Sequence, residues 1–583
     1  MAALSGYLKN IALNIKKIAL LPANFVLLTA VLIILTVFFN KQILADYLTI
    51  RPFFSYYFFG AIILLIVAII VLATINWKRL KLVLVQDKYL IVLIIILLAI
   101  LVGLIMAGPV LVRVDKETSA VLGSLDFELN ALSSFSVIFR AKAYFLIMHF
   151  LAYIMPITIK SLSVINAFLI VFQMLLVYLI LKLLLNNNRL AFLASLLFIF
   201  YPNNLLIGRA PDYAFAGQIF GTFSLFTLLL FVKYKDRLLL FWSLAILSLS
   251  LFLRIEMIFW LPFYLFLLWR NLDDEQIRKI KNIINVFLLL SLPLMLATII
   301  CFFISPTGSI SDVSFYNLRL TSGWNLLQQI TNYYHFVIDR NLAFNLSYLI
   351  FAIPLFWITP LALVFFRDKK IWDYILYFFF FWAIITVFHC NERIDSYEFL
   401  SYLIVPLVIL AGLVIGHLSK IHKYGWLASA ALVLFLIIFG FKLYQPAWFF
   451  TDNVTIFWNN EYQLIEKHLG QINNDSVIIT NDKISLISSV VNKKNEKIVQ
   501  ALPDITKQIK ELKNKYNNVF VIQGSLNASR PSISTFEANQ FEKIIKDNFN
   551  LEVVYRERLG EDGLNQPGIA PIKNALIFLY KIN

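Results

Sequence analysis

The amino-acid sequence predicts a polytopic α-helical membrane protein with a small α/β domain at its C-terminal end. The 583 residues are 60% hydrophobic and only 14% charged, whereas a soluble domain is closer to a quarter charged. Many uncharged stretches reach about 20 residues, the length that a helix needs to cross a bilayer. After about residue 445 the apolar runs shorten to strand length and alternate with helical patterns, which predicts the C-terminal domain.

Charge and cysteine usage exclude several other classes of protein. A net charge of +16 would suggest nucleic acid for a soluble protein. Here the Lys and Arg residues mark predicted cytoplasmic loops, which anionic lipid tolerates, so we expect no nucleic-acid partner. Cys301 and Cys390 lie in or beside apolar runs and offer neither a disulfide framework nor metal-ligand spacing. The first apolar run lacks a convincing cleavage site and is interpreted as a retained span.

Apolar runs separated by polar breaks predict about 13 transmembrane helices. Their approximate bounds are 24–40, 52–75, 89–107, 161–184, 189–206, 213–232, 238–254, 256–270, 283–304, 346–366, 372–390, 399–416 and 425–444. The short pair 238–254 and 256–270 could be one long tilted helix, but the loops rich in Lys and Arg then fail to share one side. The positive-inside rule predicts a cytoplasmic N-terminus, an extracytoplasmic C-terminal domain and a location in the cell membrane.

The first long outer loop, 108–160, is the candidate chemical centre. Within about fourteen residues it holds four carboxylates: Asp115, Glu117, Asp126 and Glu128. A carboxylate beside the bilayer can serve as a general base on a hydroxyl, although a solvated loop acid explains Asp115 or Glu117 equally well. The other two acids are interpreted as structural or solvated. The carboxylates could bind a divalent cation, but their spacing is not that of a dedicated ion loop, so no metal is expected. The second half of the loop, 143–156, is predicted to be an interfacial amphipathic helix.

Other polar residues interrupt the apolar sequence at the predicted outer face. Arg209 could bind a phosphate or merely snorkel, and helix capping alone would explain Asp212. Arg254 and Glu256 stand in the middle of apolar sequence, where ionisable groups are usually paired or functional. We favour a cavity-lining role for this pair over a hydrated outer turn.

A further polar group, at His389 and Arg393, ends the span 372–390. Arg393 is well placed for bidentate contact with a phosphate, and an ordinary interfacial anchor is the alternative. No Ser-His-Asp motif, metal-finger spacing or phosphate loop occurs in the sequence.

The C-terminal domain, 446–583, is predicted to contain a mainly parallel sheet. Strands are predicted at 476–480, 518–522, 551–555 and 575–580, and helices at 459–471, 504–516 and 535–548. The domain has no dinucleotide or P-loop motif, so no nucleotide is assigned to it. It could cover the outer mouth of the membrane part or meet an acceptor, and a purely stabilising role explains it equally well.

The order of these features resembles the GT-C superfamily of integral-membrane glycosyltransferases, in particular the protein O-mannosyltransferases and the lipid A aminoarabinose transferases. The resemblance covers roughly residues 89–445, preceded by a two-helix extension, 1–88. Its five parts are an acid opening the first outer loop, an apolar run ending in Pro, an Arg followed by Asp, a segment with Arg and Glu that precedes Leu261–Pro262, and an Arg before an apolar Pro-containing helix. They correspond to Val114–Glu117, Ala191–Pro202, Gly208–Asp212, Leu253–Glu256 and Glu392–Pro406. Lys116 separates the two acids that are often adjacent in this family, which leaves Asp115 and Glu117 both open as the base.

The resemblance implies direct, inverting transfer of a sugar from a polyprenyl-phosphate lipid to an acceptor at the outer face. Asp115 or Glu117 would be the general base, and outer-face arginines would lie near the phosphate. The implied substrate-binding residues are Arg209, Asp212, Arg254, Glu256, His389, Arg393, Lys142 and Tyr144. The resemblance implies a monomer in membrane lipid, with no cofactor.

Two functions from other classes compete with this interpretation. A transporter or flippase would use intramembrane charges as coupling sites, but the sequence has no repeated halves and its polar clusters gather on one face. A membrane scaffold with an outer binding domain would not explain the presence of the loop acids.

Overall fold

The structure is a computed structural model that describes 18 segments of the chain, some of them single residues.

 These segments are 51–84, 87–109, 142–210, 215–254, 257, 260–273, 275, 280, 358–365, 368–377, 397–421, 424–448, 467–469, 476–480, 496–502, 504–523, 535–559 and 575–583. The chain divides into two compact units, each of which is described by itself.

The described residues of the apolar region fold into helices. In chain order they are α1 Arg51–Ile75, α2 Trp77–Leu84, α3 Lys88–Ala107, α4 Lys142–Ala152, α5 Ile159–Leu185, α6 Asn188–Ile199, α7 Pro202–Ile207, α8 Ala216–Tyr234, α9 Arg237–Leu253, α10 Trp260–Asn271, α11 Ile358–Val364, α12 Tyr397–Ile421 and α13 Gly425–Trp448. The first unit contains α1, α2, α9, α10 and most of α8. The second contains α3, α5 to α7, α11 to α13, most of α4 and the C-terminal sheet.

Within the described segments, four helices are long and apolar enough to cross a membrane. They are Lys88–Ala107, Ile159–Leu185, Ala216–Tyr234 and Ile404–Ile421. Each coincides with a predicted span. The total of thirteen stays a prediction, because spans such as 24–40 and 283–304 lie outside the described residues.

The predicted single span 189–206 is wrong, because the chain forms two helices there. α6 ends at Ile199 and α7 begins at Pro202. Proline lacks a backbone N–H and is best tolerated in the first turn of a helix, so Pro202 begins a new helix. The Asn204 side chain donates to the Phe198 carbonyl over 2.7 Å and stabilises the bend.

In the second unit, helix ends that the sequence assigns to one membrane face do meet. Lys182, near the end of α5, lies 2.6 Å from Asp87, which caps the start of α3. Lys370 donates to the Leu184 carbonyl over 3.1 Å. His417 near the end of α12 lies 2.8 Å from Asp368. These contacts support the predicted alternation of the loops, while the orientation in the membrane stays a prediction.

In the first unit, α9 and α10 form an antiparallel hairpin. The Tyr264 hydroxyl donates to Ser243 Oγ over 2.7 Å, which pairs the middles of the two helices. Lys235, just before α9, donates to the carbonyl of Asn271 at the end of α10 over 2.8 Å. The alternative of one long tilted helix over 238–270 is therefore excluded.

The C-terminal domain contains a five-stranded mixed sheet with the order β2-β1-β3-β5-β4. Its elements are β1 Ser476–Thr480, β2 Glu496–Gln500, α14 Ile505–Lys513, β3 Asn518–Gln523, α15 Thr535–Asn548, β4 Leu551–Leu559 and β5 Ala575–Ile582. β1 pairs in parallel with β2 and β3, but β5 is antiparallel to both β3 and β4. The mainly parallel sheet was a wrong prediction. The Gly- and Pro-containing stretch 560–574 carries no helical pattern, whereas the crossover between two parallel strands usually contains an α-helix.

One buried carboxylate is central to this domain. Glu542 on α15 is only 6% exposed. Its carboxylate accepts a hydrogen bond from Arg556 Nε over 2.7 Å and lies 2.8 Å from Lys546 Nζ. It also accepts from the Tyr580 hydroxyl. These contacts tie α15 to β4 and β5, and they offset the cost of burying the charge.

Candidate active site

Three helix ends meet where the acidic loop, predicted to lie at the outer face, begins: the end of α3, the start of α5 and the end of α7. Gly108 ends α3 with φ 72° and ψ 179°, a backbone conformation that is essentially reserved for glycine. At the start of α5, Thr158 Oγ1 accepts from the Ser161 backbone N–H over 3.2 Å, and Ser161 Oγ accepts from that of Thr158 over 2.6 Å. This capping box fixes the point at which α5 begins.

Arg209 joins the end of α7 to the end of α3. Its Nε donates to the Gly108 carbonyl and its Nη2 to the Ala107 carbonyl, each over 2.9 Å. Carbonyls at a helix C-terminus have no partner within the helix, and a cation is favoured there by the helix dipole. Burial lowers the pKa of the Arg209 guanidinium, which nevertheless remains protonated at neutral pH.

Two polar residues of α5 hold the backbone around Arg209. The Ser163 hydroxyl donates to the Arg209 carbonyl over 2.8 Å, and the Asn166 amide donates to the Ala210 carbonyl over 2.5 Å. Because the two residues are three apart, they lie on the same face of α5. Neither residue was among the predicted site residues, although a Ser and an Asn three residues apart in an apolar span are a usable signal.

Gly208 allows these helices to approach closely. A Cβ atom at this position would lie 2.6 Å from Ile170 Cγ2 and 2.9 Å from Leu104 Cδ1. Both distances are shorter than an ordinary carbon–carbon contact. The ends of α3, α5 and α7 therefore pack closely at Gly208, and hydrogen bonds of the next residue, Arg209, join them.

Chain connectivity relates this junction to the predicted acids. Asp115 follows Gly108 by seven residues, so their Cα atoms lie within about 25 Å of each other. Asp212 follows Arg209 by three residues, which limits that separation to about 11 Å. The junction thus joins the start of the acidic loop to the start of the segment that carries Asp212.

Most of the predicted site residues lie outside the described part of the chain. They are Asp115, Glu117, Asp212, Glu256, His389, Arg393 and the side chain of Lys142. Tyr144 is described: it lies on α4 and is only 2% exposed. The helix α4 confirms the predicted helix in 143–156, and its 11 residues are too short to span a membrane.

Arg254 belongs to the other compact unit. It stands directly after α9, and its backbone N–H donates to the Ser250 carbonyl over 2.9 Å. Only 1% of its surface is exposed, so the alternative of a hydrated outer turn is excluded for this residue. A buried guanidinium is costly and is commonly functional in a membrane protein. Its predicted role at the substrate stays a prediction.

At the opposite end of α3 lies a second polar cluster that the sequence analysis missed. Asp87 is 4% exposed and accepts from the Tyr89 and Leu90 backbone N–H groups as the N-cap. It also accepts from the Tyr178 hydroxyl and from Lys182 over 2.6 Å. Burial alone would raise the pKa of Asp87, but the bonds from Lys182 and Tyr178 hold it below its ordinary value. An Asp just before an apolar run is a usable N-cap signal.

No group of three or more His, Cys, Asp or Glu side chains suited to a metal occurs among the described residues. The four loop acids fall outside that part of the chain, so the expectation that no metal takes part stays a prediction.

Comparisons with known proteins give one kind of match. No family model matches the sequence, and no curated protein matches it. The chain is similar to the crystal structure of ArnT from Cupriavidus metallidurans bound to undecaprenyl phosphate, with 9% identity, a TM-score of 0.48, and coverage of 85% of this chain and 98% of that one. For the same protein in the apo state the identity is 10%, the TM-score 0.44, and the coverage 84% and 97%.

Both of these structures are of ArnT. At these identities and TM-scores the likeness is distant, and it assigns no role to any residue of this chain.

Proposed function

We propose that this chain is a GT-C-type glycosyltransferase that transfers a sugar from a polyprenyl-phosphate lipid to an acceptor at the outer face of the cell membrane. The observation that carries the proposal is the junction at Arg209. It bonds the end of α3, from which the acidic loop departs, to the segment that leads to Asp212. The sequence resemblance gives these same two segments to one site. Undecaprenyl phosphate, which is named for one ArnT structure, belongs to the same chemical class as the proposed donor.

In the proposed reaction a loop carboxylate, Asp115 or Glu117, removes the proton from the acceptor hydroxyl. The acceptor oxygen forms a bond to the anomeric carbon as the bond from that carbon to the phosphate oxygen breaks, which inverts the configuration. The lipid phosphate leaves with the bonding electrons. A nearby guanidinium stabilises the charge that develops on it, with Arg209, Arg254 and Arg393 as the candidates.

Several features of the chain support a membrane-embedded donor. The buried guanidinium of Arg254 would suit an anionic headgroup held near the bilayer. No nucleotide-binding motif occurs in the sequence, as expected of an enzyme that takes its sugar from a lipid. The acceptor is a hydroxyl-bearing protein, lipid or glycan, and the extracytoplasmic domain would lie on the acceptor's side of the membrane.

The test uses the full-length protein reconstituted in vesicles with radiolabelled polyprenyl-phosphate sugars and candidate acceptors. We expect Asp115→Asn or Glu117→Gln to lower the transfer rate at least about a hundredfold, the usual effect of losing a general base. Asp126→Asn, in the same loop, is the matched control and should retain activity.

If neither substitution lowers the rate, the assignment of the base is wrong. If no sugar leaves any lipid donor, the transferase proposal fails. Passage of intact donor across the bilayer in the same vesicles would favour a flippase instead.

A further inference from the structure

We infer that Arg209, Ser163 and Asn166 form a positioning clamp that holds the end of α3, where the acidic loop begins, and the Arg209–Ala210 backbone, which leads to Asp212, in a fixed relation. This inference rests on the proposed function for its catalytic meaning, but the clamp itself is a statement about geometry. It changes the role of Arg209 from direct phosphate binding, as the sequence resemblance implied, to positioning of the residues that act.

The first half of the clamp is the Arg209 side chain. One edge of its guanidinium, formed by Nε and Nη2, spans two consecutive carbonyls, those of Gly108 and Ala107, at 2.9 Å each. A planar fork with two donors matches two acceptors in a fixed geometry, which a lysine ammonium cannot reproduce. One of the two guanidinium edges that could make a bidentate phosphate contact is therefore already engaged with the end of α3.

The second half of the clamp is the backbone of Arg209 and Ala210. Ser163 and Asn166 bond to these two carbonyls from α5 at 2.8 Å and 2.5 Å. Asn166 is 3% exposed and Ser163 is 5% exposed, so water cannot easily replace them as donors. Arg209 thus reaches α3 from a backbone that α5 holds in place.

The tight packing at Gly208 adds a steric restraint. There is no room for a Cβ between this residue and the side chains of Ile170 and Leu104. Sliding α3 against α5 would break at least two of the four hydrogen bonds, either those to α3 or those to α5, and would disturb the close packing at Gly208. The end of α3 and the Arg209–Ala210 backbone should therefore move together.

The experiment compares Arg209→Lys with Arg209→Gln, and both with Ser163→Ala, in the full-length protein. A clamp predicts that all three lower kcat by about ten- to a hundredfold, because small displacements of reacting groups are costly, while the KM for the donor changes less than about twofold. Direct phosphate binding predicts a different pattern. The donor KM would rise in Arg209→Gln, be partly preserved in Arg209→Lys, and stay unchanged in Ser163→Ala.

Hydrogen exchange in peptides covering residues 104–128 provides a readout that needs no activity. A clamp predicts faster exchange there in Ser163→Ala and Asn166→Ala than in the wild type. Ser195→Ala is the matched control, since the Ser195 hydroxyl donates within its own helix, to Phe192 over 2.8 Å, and should leave both readouts unchanged.

The clamp would be overturned if the donor KM rises more in Arg209→Gln than in Arg209→Lys while hydrogen exchange in residues 104–128 stays unchanged in Ser163→Ala and Asn166→Ala. If the wild type transfers no sugar, the proposed function fails, and exchange alone then decides the clamp: faster exchange supports it and unchanged exchange overturns it. Ser163→Ala removes only one oxygen, so it keeps the test valid if the Arg209 variants fail to fold.

Discussion

At the level of single residues, Gly108 sets the point at which α3 ends. Its φ of 72° with ψ of 179° is strained for any residue with a Cβ, although open space surrounds the position. We expect Gly108→Ala to cost about 1–3 kcal/mol of local stability and to reduce the transferase activity of the reconstituted protein. Gly103→Ala is the control, because Gly103 lies inside α3 with nothing within 4 Å of an added Cβ.

The measurement is thermal unfolding of the purified protein in detergent together with the transfer rate. Equal effects of the two glycine substitutions would show that the conformation of Gly108 is unimportant.

Glu542 makes the C-terminal domain sensitive to acid. Burial alone would raise its pKa, but bonds from Arg556, Lys546 and Tyr580 lower it from 4.5 to about 2. A carboxylate whose pKa is depressed by folding stabilises the domain fully above about pH 4.5, and this stabilisation is lost as the pH falls toward 2. The amount is on the order of 3 kcal/mol.

We expect hydrogen exchange of the β4 and β5 amides, corrected for intrinsic rates, to accelerate between pH 5 and pH 2.5 in the full-length protein. Glu542→Gln should accelerate it already at pH 7. Glu552→Gln is the control, since Glu552 is 58% exposed and lies 3.8 Å from Lys581. Loss of protection in the control to the same extent would contradict a special role for Glu542.

Sequence reasoning identified Arg209 as important but could not identify its partners. Gly108 lies 101 residues away in the chain, and an acceptor that is a backbone carbonyl has no sequence signature. The sequence is sufficient to predict Asp87 as a helix cap. Its contact with Lys182, 95 residues away, depends on how α3 packs against α5.

At the level of elements, α12 packs closely against α5 through small residues. A Cβ at Gly412 would lie 2.4 Å from Leu181 Cδ2, and one at Gly416 would lie 2.8 Å from Leu185 Cδ2. Small residues at helix interfaces let helix backbones approach in a membrane, where packing drives association. The two glycines are four residues apart and therefore share one face of α12.

We expect Gly412→Ala to destabilise the protein by about 1–3 kcal/mol through overpacking, measured as a lower midpoint of thermal unfolding in detergent. Gly440→Ala on α13 is the control, because nothing lies within 4 Å of an added Cβ there. An unchanged midpoint in Gly412→Ala would mean that Leu181 can move aside at little cost.

Helical periodicity and apolar length were sufficient to predict α3, α5, α8 and α12, because a lipid-crossing helix carries its signal locally. The break before Pro202 was missed since apolar sequence continues through it. In the C-terminal domain the strand pattern predicted four of the described strands, but β2, with the sequence Glu496–Gln500, lacks a clear apolar run. Strand direction was misjudged because it depends on pairing across the sheet.

At the level of the whole molecule, the alternation of helix ends predicts which surfaces face each compartment. The ends that carry Lys370 and Lys420 should face the cytoplasm, and the C-terminal domain should lie outside. We expect Lys543→Cys to react with a membrane-impermeant maleimide in intact cells and Lys420→Cys to react only after permeabilisation. Both variants are made after replacement of Cys301 and Cys390. Equal labelling of the two positions in intact cells would contradict the topology.

The sequence was sufficient to predict the charged outer segments of the candidate site. It was not sufficient to predict which of these segments lie next to one another. Composition and order show that acids and arginines interrupt apolar sequence, but which segments meet depends on contacts between distant helices. The bonds from α5 to Arg209 and Ala210 are of this kind.

The attachment of α3 at both ends has a consequence for the surrounding lipid. Asp87 fixes its start and Arg209 its end, while side chains such as Ile91 and Leu98 between them are 63% and 55% exposed. The 20 residues of α3 extend about 30 Å, the thickness of an average hydrocarbon core. A helix fastened in this way cannot tilt on its own to match a thinner or thicker bilayer. The mismatch would instead be transmitted to the two ends of α3, so the acyl-chain length of the host membrane becomes a variable to which the backbone at Gly108 responds.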